Sequence, residues 1–200
     1  MSTTGSDGGT HRSRDAVATR RALVDAAIAQ FAEEGFARAS IDRIAKAADL
    51  TKGAVYHHFA DKEQLFEGAF TALEDRFLEK LESGTDGIDA PRPRLVATLD
   101  LFLAQCRQPD YLRIAVVEAP AALGGERWKE LRERYFAGRV STALDSLYGT
   151  DGTDPAAAGL LVAAASAAGL ELSTVAAHRA PAERQRLGAL LMRMADAIGA

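Results

Sequence analysis

Apolar residues recur at intervals of three and four along most of this chain, and no stretch alternates with a period of two. Such spacing places apolar side chains on one face of an α-helix. Leu23, Ala27 and Phe31 form one such stripe, and Leu73 and Phe77 belong to another. The pattern predicts an all-α protein of about nine helices, at residues 16–34, 41–48, 52–59, 62–81, 94–107, 110–119, 126–148, 155–177 and 181–198.

Residues 40–59 contain two short helical patterns separated by a tight turn. Ile41, Ile44 and Ala48 share one face of the first helix. Ser40 is its predicted N-cap, with a hydroxyl that accepts a hydrogen bond from a free first-turn N–H. Asp49 is one of the few non-glycine residue types that tolerate the left-handed conformation of a tight turn. Two short helices joined by three or four residues have the layout of a helix-turn-helix.

The second of these helices divides its side chains between two faces. Thr51 is its predicted N-cap, and Val55 and Phe59 are placed to face the core. The opposite face carries the Lys52 ammonium, the Tyr56 hydroxyl and a ring N–H of His57. It also carries Gly53, which permits close approach. These groups suit a phosphate backbone and a major groove. A helical hairpin with a solvated polar face would show the same spacing, so both interpretations stand at this point.

A family resemblance favours the first interpretation. The segments RRALVDAAIAQFAEEGF (Arg20–Phe36), IDRIAKAADLTKGAVYHHF (Ile41–Phe59) and DKEQLF (Asp61–Phe66) together resemble the DNA-binding domain of the TetR family of one-component transcriptional regulators. Asp49 stands where many members have glycine. The resemblance covers roughly residues 20–77 by motif, and beyond them only a helical plan.

The resemblance implies that residues 51–57 enter a major groove of double-stranded operator DNA. Lys62 adds a cation at the N-terminus of a long helix capped by Asp61, where the helix dipole favours phosphate. We expect DNA contacts from Ser40, Thr51, Lys52, Gly53, Ala54, Tyr56, His57 and Lys62.

The resemblance also implies a homodimer in which the last two long helices pair with their symmetry mates. Residues 155–177 include ten alanines and two glycines and are apolar on every face, as in a buried helix. The expected interface residues are Leu161, Ala168, Leu187, Leu190, Leu191 and Met194. Twofold symmetry would then require a palindromic operator.

Aromatic and polarizable side chains are concentrated in the middle of the chain. They describe either a closed core or a small-molecule pocket, and the resemblance favours a pocket for an apolar effector. The expected lining is Leu99, Phe102, Cys106, Tyr111, Glu118, Trp128, Tyr135 and Phe136. Glu118 and Glu171 are the acids expected to be enclosed by apolar helices.

Charge and cysteine content limit the alternatives. The net charge is −4, but residues 11–62 carry nine Arg and Lys against seven Asp and Glu. A mildly basic segment on an acidic remainder suits a specific DNA binder. Cys106 is the only cysteine, so no intramolecular disulfide forms, which fits the cytoplasm. The first fifteen residues contain no apolar segment, so we expect no signal peptide. The apolar run 155–170 is shorter than the ~20 residues that span a membrane.

Other chemistries lack support in the sequence. His57 and His58 are adjacent and point about 100° apart on a helix, unlike an i, i+4 metal pair. We find no nucleophile–base pair and no phosphate-binding glycine loop, so we expect no enzyme activity, cofactor or metal.

The favoured interpretation is a homodimeric repressor released from DNA by an apolar small molecule. It has a disordered arm (1–15), a DNA-binding domain (16–62) and a regulatory and dimerisation domain (63–200). The alternatives are a helical small-molecule-binding protein or enzyme that does not read DNA, and a DNA-binding regulator without a ligand.

Overall fold

The computed structural model describes residues 7–149 and 154–198, apart from the side chains of residues 7–13 and Pro155. The described residues form nine helices and no strand, which confirms the predicted fold class. The helices are α1 (Asp7–Glu34), α2 (Ile41–Ala47), α3 (Lys52–His58), α4 (Lys62–Thr85), α5 (Pro91–Gln105), α6 (residues 109–122), α7 (residues 125–148), α8 (Pro155–Thr174) and α9 (Ala180–Ile198).

We call α1–α3 the head and α5–α9 the body. In the head, the fully buried side chains are Leu23, Phe31, Ile44 and Val55. The apolar faces of α1, α2 and α3 therefore pack against one another. Helix α4 packs on α1 through Phe66, near its N-terminus, and on α5 through Phe77 farther along. Its apolar stripe therefore belongs to both units, and the buried residues form one continuous core.

Two predicted helix caps, at Thr51 and Asp61, are present, and Asp154 provides a third. The side chain of Thr51 accepts from the N–H of Ala54 at 3.2 Å, and that of Asp61 accepts from the N–H of Gln64 at 2.7 Å. Asp154 caps α8 by accepting from the N–H of Ala156 at 2.8 Å. Each satisfies a first-turn N–H that has no partner within its own helix.

The N-terminal prediction needs correction. Helix α1 begins at Asp7, so residues 7–15 are helical and not part of a disordered arm. Residues 1–6 lie outside the described residues. The glycines and the serine of residues 7–13 suggested disorder, but these positions continue the helix that the stripe beginning at Leu23 stabilises farther along.

Helix α6 also differs from expectation, because it continues past Pro120. Residues Leu112–Glu118 form a π-helical segment, and a short α-helical turn, Ala119–Ala122, follows it. Pro120 lies at the beginning of that turn, where its missing N–H costs least. Helix α7 contains a second π-helical segment, at Glu133–Ala137.

Helix α8 has the length and composition of a membrane-spanning helix, with 19 residues at a mean hydropathy of 1.5. The expectation that its apolar run is too short counted only residues 155–170, whereas the apolar helical segment reaches Thr174. One such helix is weak evidence for a membrane, since helices of a protein core share these properties. Only 33% of this segment is buried within the chain, which leaves much of its apolar surface without a partner.

Candidate nucleic-acid interface and apolar cavity

The helix-turn-helix is built by α2, a tight turn and α3. Asp49 has φ +57°, and it is the only non-glycine residue with positive φ in the described part of the chain. The N–H of Leu50 donates to the carbonyl of Ala45 at 2.8 Å, which closes the turn. Asp49 thus adopts the left-handed conformation predicted for it. The turn directs the N-terminus of α3 outward.

Helix α3 exposes the polar face that its sequence predicts. Val55 is fully buried, while the Tyr56 residue is 49% exposed. Lys52, Gly53 and His57 are also exposed. A Cβ placed on Gly53 would meet no atom closer than the Thr51 hydroxyl oxygen, at 3.8 Å, so another molecule can approach the backbone there. Ala54 is half-buried at the edge of this face, and Thr51 is exposed while it caps the helix.

Lys52 is held by an exposed ion pair with Asp42 of α2, at 3.1 Å. Such a pair contributes about 0–1 kcal/mol, so a phosphate or a base edge can displace the carboxylate at little cost. His58 lies closer to the core, and burial together with His57 and Arg20 lowers its pKa. His58 is therefore neutral at pH 7, and His57 is the more exposed of the two imidazoles.

Two of the expected DNA contacts behave differently. Ser40 occupies the N-cap of α2, but its side chain makes no capping hydrogen bond. The ammonium of Lys62 donates to the carbonyl of Phe36 at 2.8 Å, with Ala37 and Ala39 oxygens at 3.3 and 3.4 Å. It also lies 4.6 Å from the centre of the Phe36 ring. The Lys62 ammonium therefore holds the connection between α1 and α2. Its contact with a phosphate stays a prediction.

A cavity of about 820 Å³ lies in the body among α4, α5, α7 and α8. Its walls are mainly aliphatic and aromatic, and charged side chains stand among them. The apolar lining includes Phe77, Leu81, Leu95, Leu99, Phe102, Tyr135, Phe136, Val140, Ala143, Leu161 and Ala165, and the charged lining includes Glu82, Asp89, Arg94, Arg134 and Arg139. This size and composition suit a small, largely apolar molecule.

Half of the expected pocket residues line this cavity: Leu99, Phe102, Tyr135 and Phe136. The other four, Cys106, Tyr111, Glu118 and Trp128, are not part of the lining. Trp128 packs on the Phe136 ring, with centroids 6.4 Å apart, and on the Phe70 ring. Trp128 therefore contacts a residue of the cavity wall but does not itself line the cavity.

Cys106 is sealed inside the chain. A Cβ placed on Gly169 of α8 would lie 2.4 Å from its sulfur, so only glycine allows α8 to approach α5 this closely. Burial raises the pKa of the Cys106 thiol to about 12. The thiol is a packed core group and not a ligand contact.

Within the described part of the chain, the enclosed acid is Glu74, which was not among the acids expected to be buried. Its carboxyl is fully buried, and burial raises its pKa to about 8. Tyr111, also fully buried, has its hydroxyl 3.3 Å from Oε2, whereas Oε1 has no hydrogen-bond partner. The sequence spacing indicates this burial. Glu74 follows Phe70 by four residues and precedes Phe77 by three, so it lies on the buried stripe of α4. Glu171, expected to be enclosed, is exposed.

The expected dimer residues divide into buried, half-buried and exposed positions. Leu161, Leu187 and Leu191 are buried inside the single chain, and Ala168 and Leu190 are half-buried against its core. Only Met194 of the six is exposed, at 42%.

A different stripe of α8 faces outward. Leu160 and Leu170 are 66% and 47% exposed, and Ala156, Ala163 and Ala167 continue the stripe at helical spacing. Because α8 is apolar on every side, its periodicity does not reveal which stripe faces the core.

Glu118 lies where the body meets the head. Its Oε2 accepts from the backbone N–H of Phe36 at 2.5 Å, and Arg113 contacts its other oxygen. The expectation that Glu118 anchors a ligand is therefore corrected.

Two family models match this chain. Residues 23–69 match "Bacterial regulatory proteins, tetR family", and residues 93–198 match "Tetracyclin repressor-like, C-terminal domain". The first covers the helix-turn-helix with its supporting helices, and the second covers most of the body.

Two curated relatives are named as repressors. The chain is 35% identical over 105 residues to the probable acrEF/envCD operon repressor of Escherichia coli, and the match spans 50% of this chain and 48% of that protein. The chain thus spans about half the length of this relative. It is 31% identical over 133 residues to the HTH-type transcriptional repressor Rv1474c of Mycobacterium tuberculosis, covering 62% of this chain and 70% of that one.

Solved structures show the same fold. A TetR-family transcriptional regulator from Pectobacterium atrosepticum superposes with a TM-score of 0.69 at 25% identity, over 90% of this chain and 94% of that one. A putative tetR family transcription regulator from Shewanella has a TM-score of 0.74 at 16% identity, over 88% of this chain and 96% of that one. The head and the body thus occur together in both proteins.

Proposed function

Because the chain belongs to the TetR family of bacterial regulatory proteins, we propose that it is a homodimeric transcriptional repressor released from a palindromic operator by an apolar small molecule. The observation that carries this proposal is the exposed polar face of α3 in a closed helix-turn-helix. In this proposal residues 16–62 bind DNA and residues 63–200 regulate and dimerise. The protein works in the cytoplasm, where its operator is accessible.

DNA recognition is assigned to α3 and its flanks. Tyr56 and His57 contact phosphates, and Lys52 and the Ala54 methyl meet base edges. Gly53 allows the backbone to approach the DNA. Thr51 and Ser40 supply hydroxyls at the N-termini of α3 and α2, where free N–H groups favour phosphate.

We expect Lys52→Ala to relax the sequence preference of the repressor. A bidentate base contact supplies about 1–3 kcal/mol of discrimination, whereas a phosphate contact carries no sequence information. Binding sites are selected from a random DNA library, and affinities for the selected site and for scrambled DNA are compared by fluorescence anisotropy. Tyr56→Phe is the matched control and should weaken all sequences about equally. An unchanged preference in Lys52→Ala would refute this division of roles.

The same selection separates the alternatives. A repressor should retain palindromic sites that random DNA competes for poorly. A helical binding protein or enzyme that does not read DNA would enrich no site.

The cavity is proposed as the effector site. A ligand releases DNA only if it binds the DNA-incompetent arrangement more tightly, with a coupling of typically about 1–3 kcal/mol. Its apolar lining, with charged side chains among it, suits an apolar or amphipathic molecule.

We expect an effector to change Trp128 fluorescence and lower operator affinity over the same concentration range. Trp128 is the only tryptophan and packs on Phe136 of the cavity wall. A library of apolar small molecules is titrated with and without operator DNA. Reciprocity requires that operator weaken effector binding by the same factor. A compound that binds equally well in both cases is a cavity occupant and not the inducer, and a screen with no coupled compound favours a regulator without a ligand.

A further inference from the structure

Charged side chains line the body cavity in two sets. One set comes from α4, α5 and the connection between them, and consists of Glu82, Asp89 and Arg94. The other set comes from α7 and consists of Arg134 and Arg139. Among the described residues, the first set thus contains two acids and one cation, whereas the second contains cations alone. The α7 wall is therefore the positive side of the cavity.

Arg94 is already engaged on its own side of the cavity. Its Nη1 donates to the carbonyl oxygens of Thr85 and Ile88, at 3.5 and 3.3 Å. These carbonyls belong to the end of α4 and to the connection that also contains Asp89. Arg94 therefore holds this connection, and the two arginines of α7 are the cations left for a ligand.

Arg134 and Arg139 line the same cavity although they are five residues apart. In an uninterrupted α-helix, residues five apart point about 140° away from each other. Arg134 lies in the π-helical segment Glu133–Ala137, in which the N–H of Gly138 bonds to the carbonyl of Glu133, also five residues away. The wider turn of this segment rotates Arg139 toward the side of α7 that carries Arg134.

The charge of these two guanidinium groups is not neutralised by a nearby acid. Within residues 7–149 and 154–198, neither Arg134 nor Arg139 forms an ion pair. Arg134 lies over the Tyr135 ring, 5.1 Å from its centre, a contact that orients the guanidinium and leaves its charge in place. Both arginines are exposed, so a molecule that enters from solvent can reach them.

The hydroxyl groups of the α7 wall do not compete as donors. Thr142 donates to the carbonyl of Gly138 at 2.9 Å, and Ser146 donates to the carbonyl of Thr142 at 2.8 Å. Their protons are used within the helix, so the N–H groups that this wall offers to a ligand are those of the guanidinium groups. A guanidinium presents its N–H groups as a fork that fits the two oxygens of a carboxylate or a phosphate.

We propose that the cavity binds an amphipathic oxyanion, with its anionic group on Arg134 and Arg139 and its apolar part on the aliphatic and aromatic walls. This inference rests on the proposed function and names the chemical class of the effector. Carboxylates and phosphate monoesters share the chemistry that a guanidinium pair recognises.

The test compares four probes that carry the same alkyl chain: decanoate, decyl phosphate, decanol and decylamine. Binding to the full chain without DNA is measured by isothermal titration calorimetry, below the concentration at which each probe forms micelles. We expect at least one of the two anions to bind about 10- to 100-fold more tightly than decanol, the effect of charge-assisted hydrogen bonds. Which anion binds more tightly identifies the head group.

Replacing both arginines tests whether they cause this preference. In the double variant Arg134→Met, Arg139→Met, the anions and decanol should bind within about twofold of each other. Methionine keeps an apolar stem of similar length, so decanol binding should change little. Arg21→Met is the matched control, because Arg21 is 81% exposed on α1 and its loss removes a positive charge far from the cavity. It should keep the full anion preference.

Three results would overturn the inference. Decanol that binds wild type as tightly as both anions, or no binding of any probe, would show that the arginines recognise no oxyanion. Tightest binding of decylamine would assign the head group to Glu82 and Asp89. An anion preference that survives the double variant would place the anion elsewhere. Circular dichroism checks folding, and Arg134→Gln with Arg139→Gln replaces the double variant if the methionine form aggregates.

Failure of the inference and failure of the repressor proposal give different results, because the binding measurements contain no DNA. A protein that selects palindromic sites but shows no anion preference would refute only the inference. A protein that prefers the anions but selects no DNA site would support the anion site and refute the repressor proposal.

Discussion

Replacing Leu191 by Arg should unfold the chain, whereas replacing Leu160 by Arg should leave each chain folded and separate the dimer. Leu191 is 2% exposed, so arginine there loses about 2–5 kcal/mol of packing and adds an unpaired buried charge. Together these costs approach the 5–15 kcal/mol by which proteins are typically stable. Leu160 is 66% exposed in the single chain. We propose that the outward stripe of α8 forms the dimer interface, so an arginine at position 160 becomes buried only there.

Circular dichroism would report folding, and sedimentation at micromolar concentration would report the oligomeric state. Val96→Arg is the control, because Val96 is 47% exposed but lies on α5, outside the proposed interface. It should remain a folded dimer. A dimer that persists in Leu160→Arg would place the interface elsewhere.

Glu74→Gln should stabilise the protein at alkaline pH and change it little at acidic pH. The folded-state pKa of Glu74 is about 8, against an ordinary value of 4.5, because the carboxyl is desolvated. The stability contributed by its neutral form is fully present below about pH 4.5 and is lost as the pH rises through about 8. Glutamine stays neutral and avoids this loss, which is on the order of 2–5 kcal/mol at pH 9.

Urea unfolding at pH 5 and at pH 9 measures the difference. Glu67→Gln on the same helix is the control, since a hydrogen bond from Arg127 lowers the pKa of Glu67. Its carboxylate contributes stability above its ordinary pKa, so the glutamine variant should be no more stable than the wild type at pH 9. If the difference in the free energy of unfolding between Glu74→Gln and the wild type were the same at pH 5 and at pH 9, Glu74 would not titrate in this range.

The head was predictable because its signals are local. Hydrophobic spacing defined α2 and α3, and residue type was sufficient to assign the turn at Asp49 and the caps at Thr51 and Asp61. Ser40 is the exception, with a hydroxyl that makes no capping bond. The carbonyl partners of Lys62 were not predictable for a different reason, because they lie more than twenty residues away in sequence.

The body was predictable as helices but not as surfaces. In α8 every side is apolar, so sequence spacing did not separate the buried Leu161 from the exposed Leu160. Aromatic residues gave no distinction between cavity wall and closed core either, since Phe102 and Tyr111 are adjacent in space and only Phe102 faces the cavity. The missed acid Glu74 shows that a polar residue within a hydrophobic stripe identifies a buried group better than an apolar neighbourhood does.

The contact between Gly169 and Cys106 has a practical consequence for spectroscopy. The only native thiol is closed off by the α8 backbone, and its pKa of about 12 keeps it protonated, so thiol-reactive probes will not modify it. A cysteine introduced on the exposed surface of the head can therefore be labelled selectively without removing Cys106. Paired spin labels on the two heads of a dimer would then report their separation directly in the otherwise native protein.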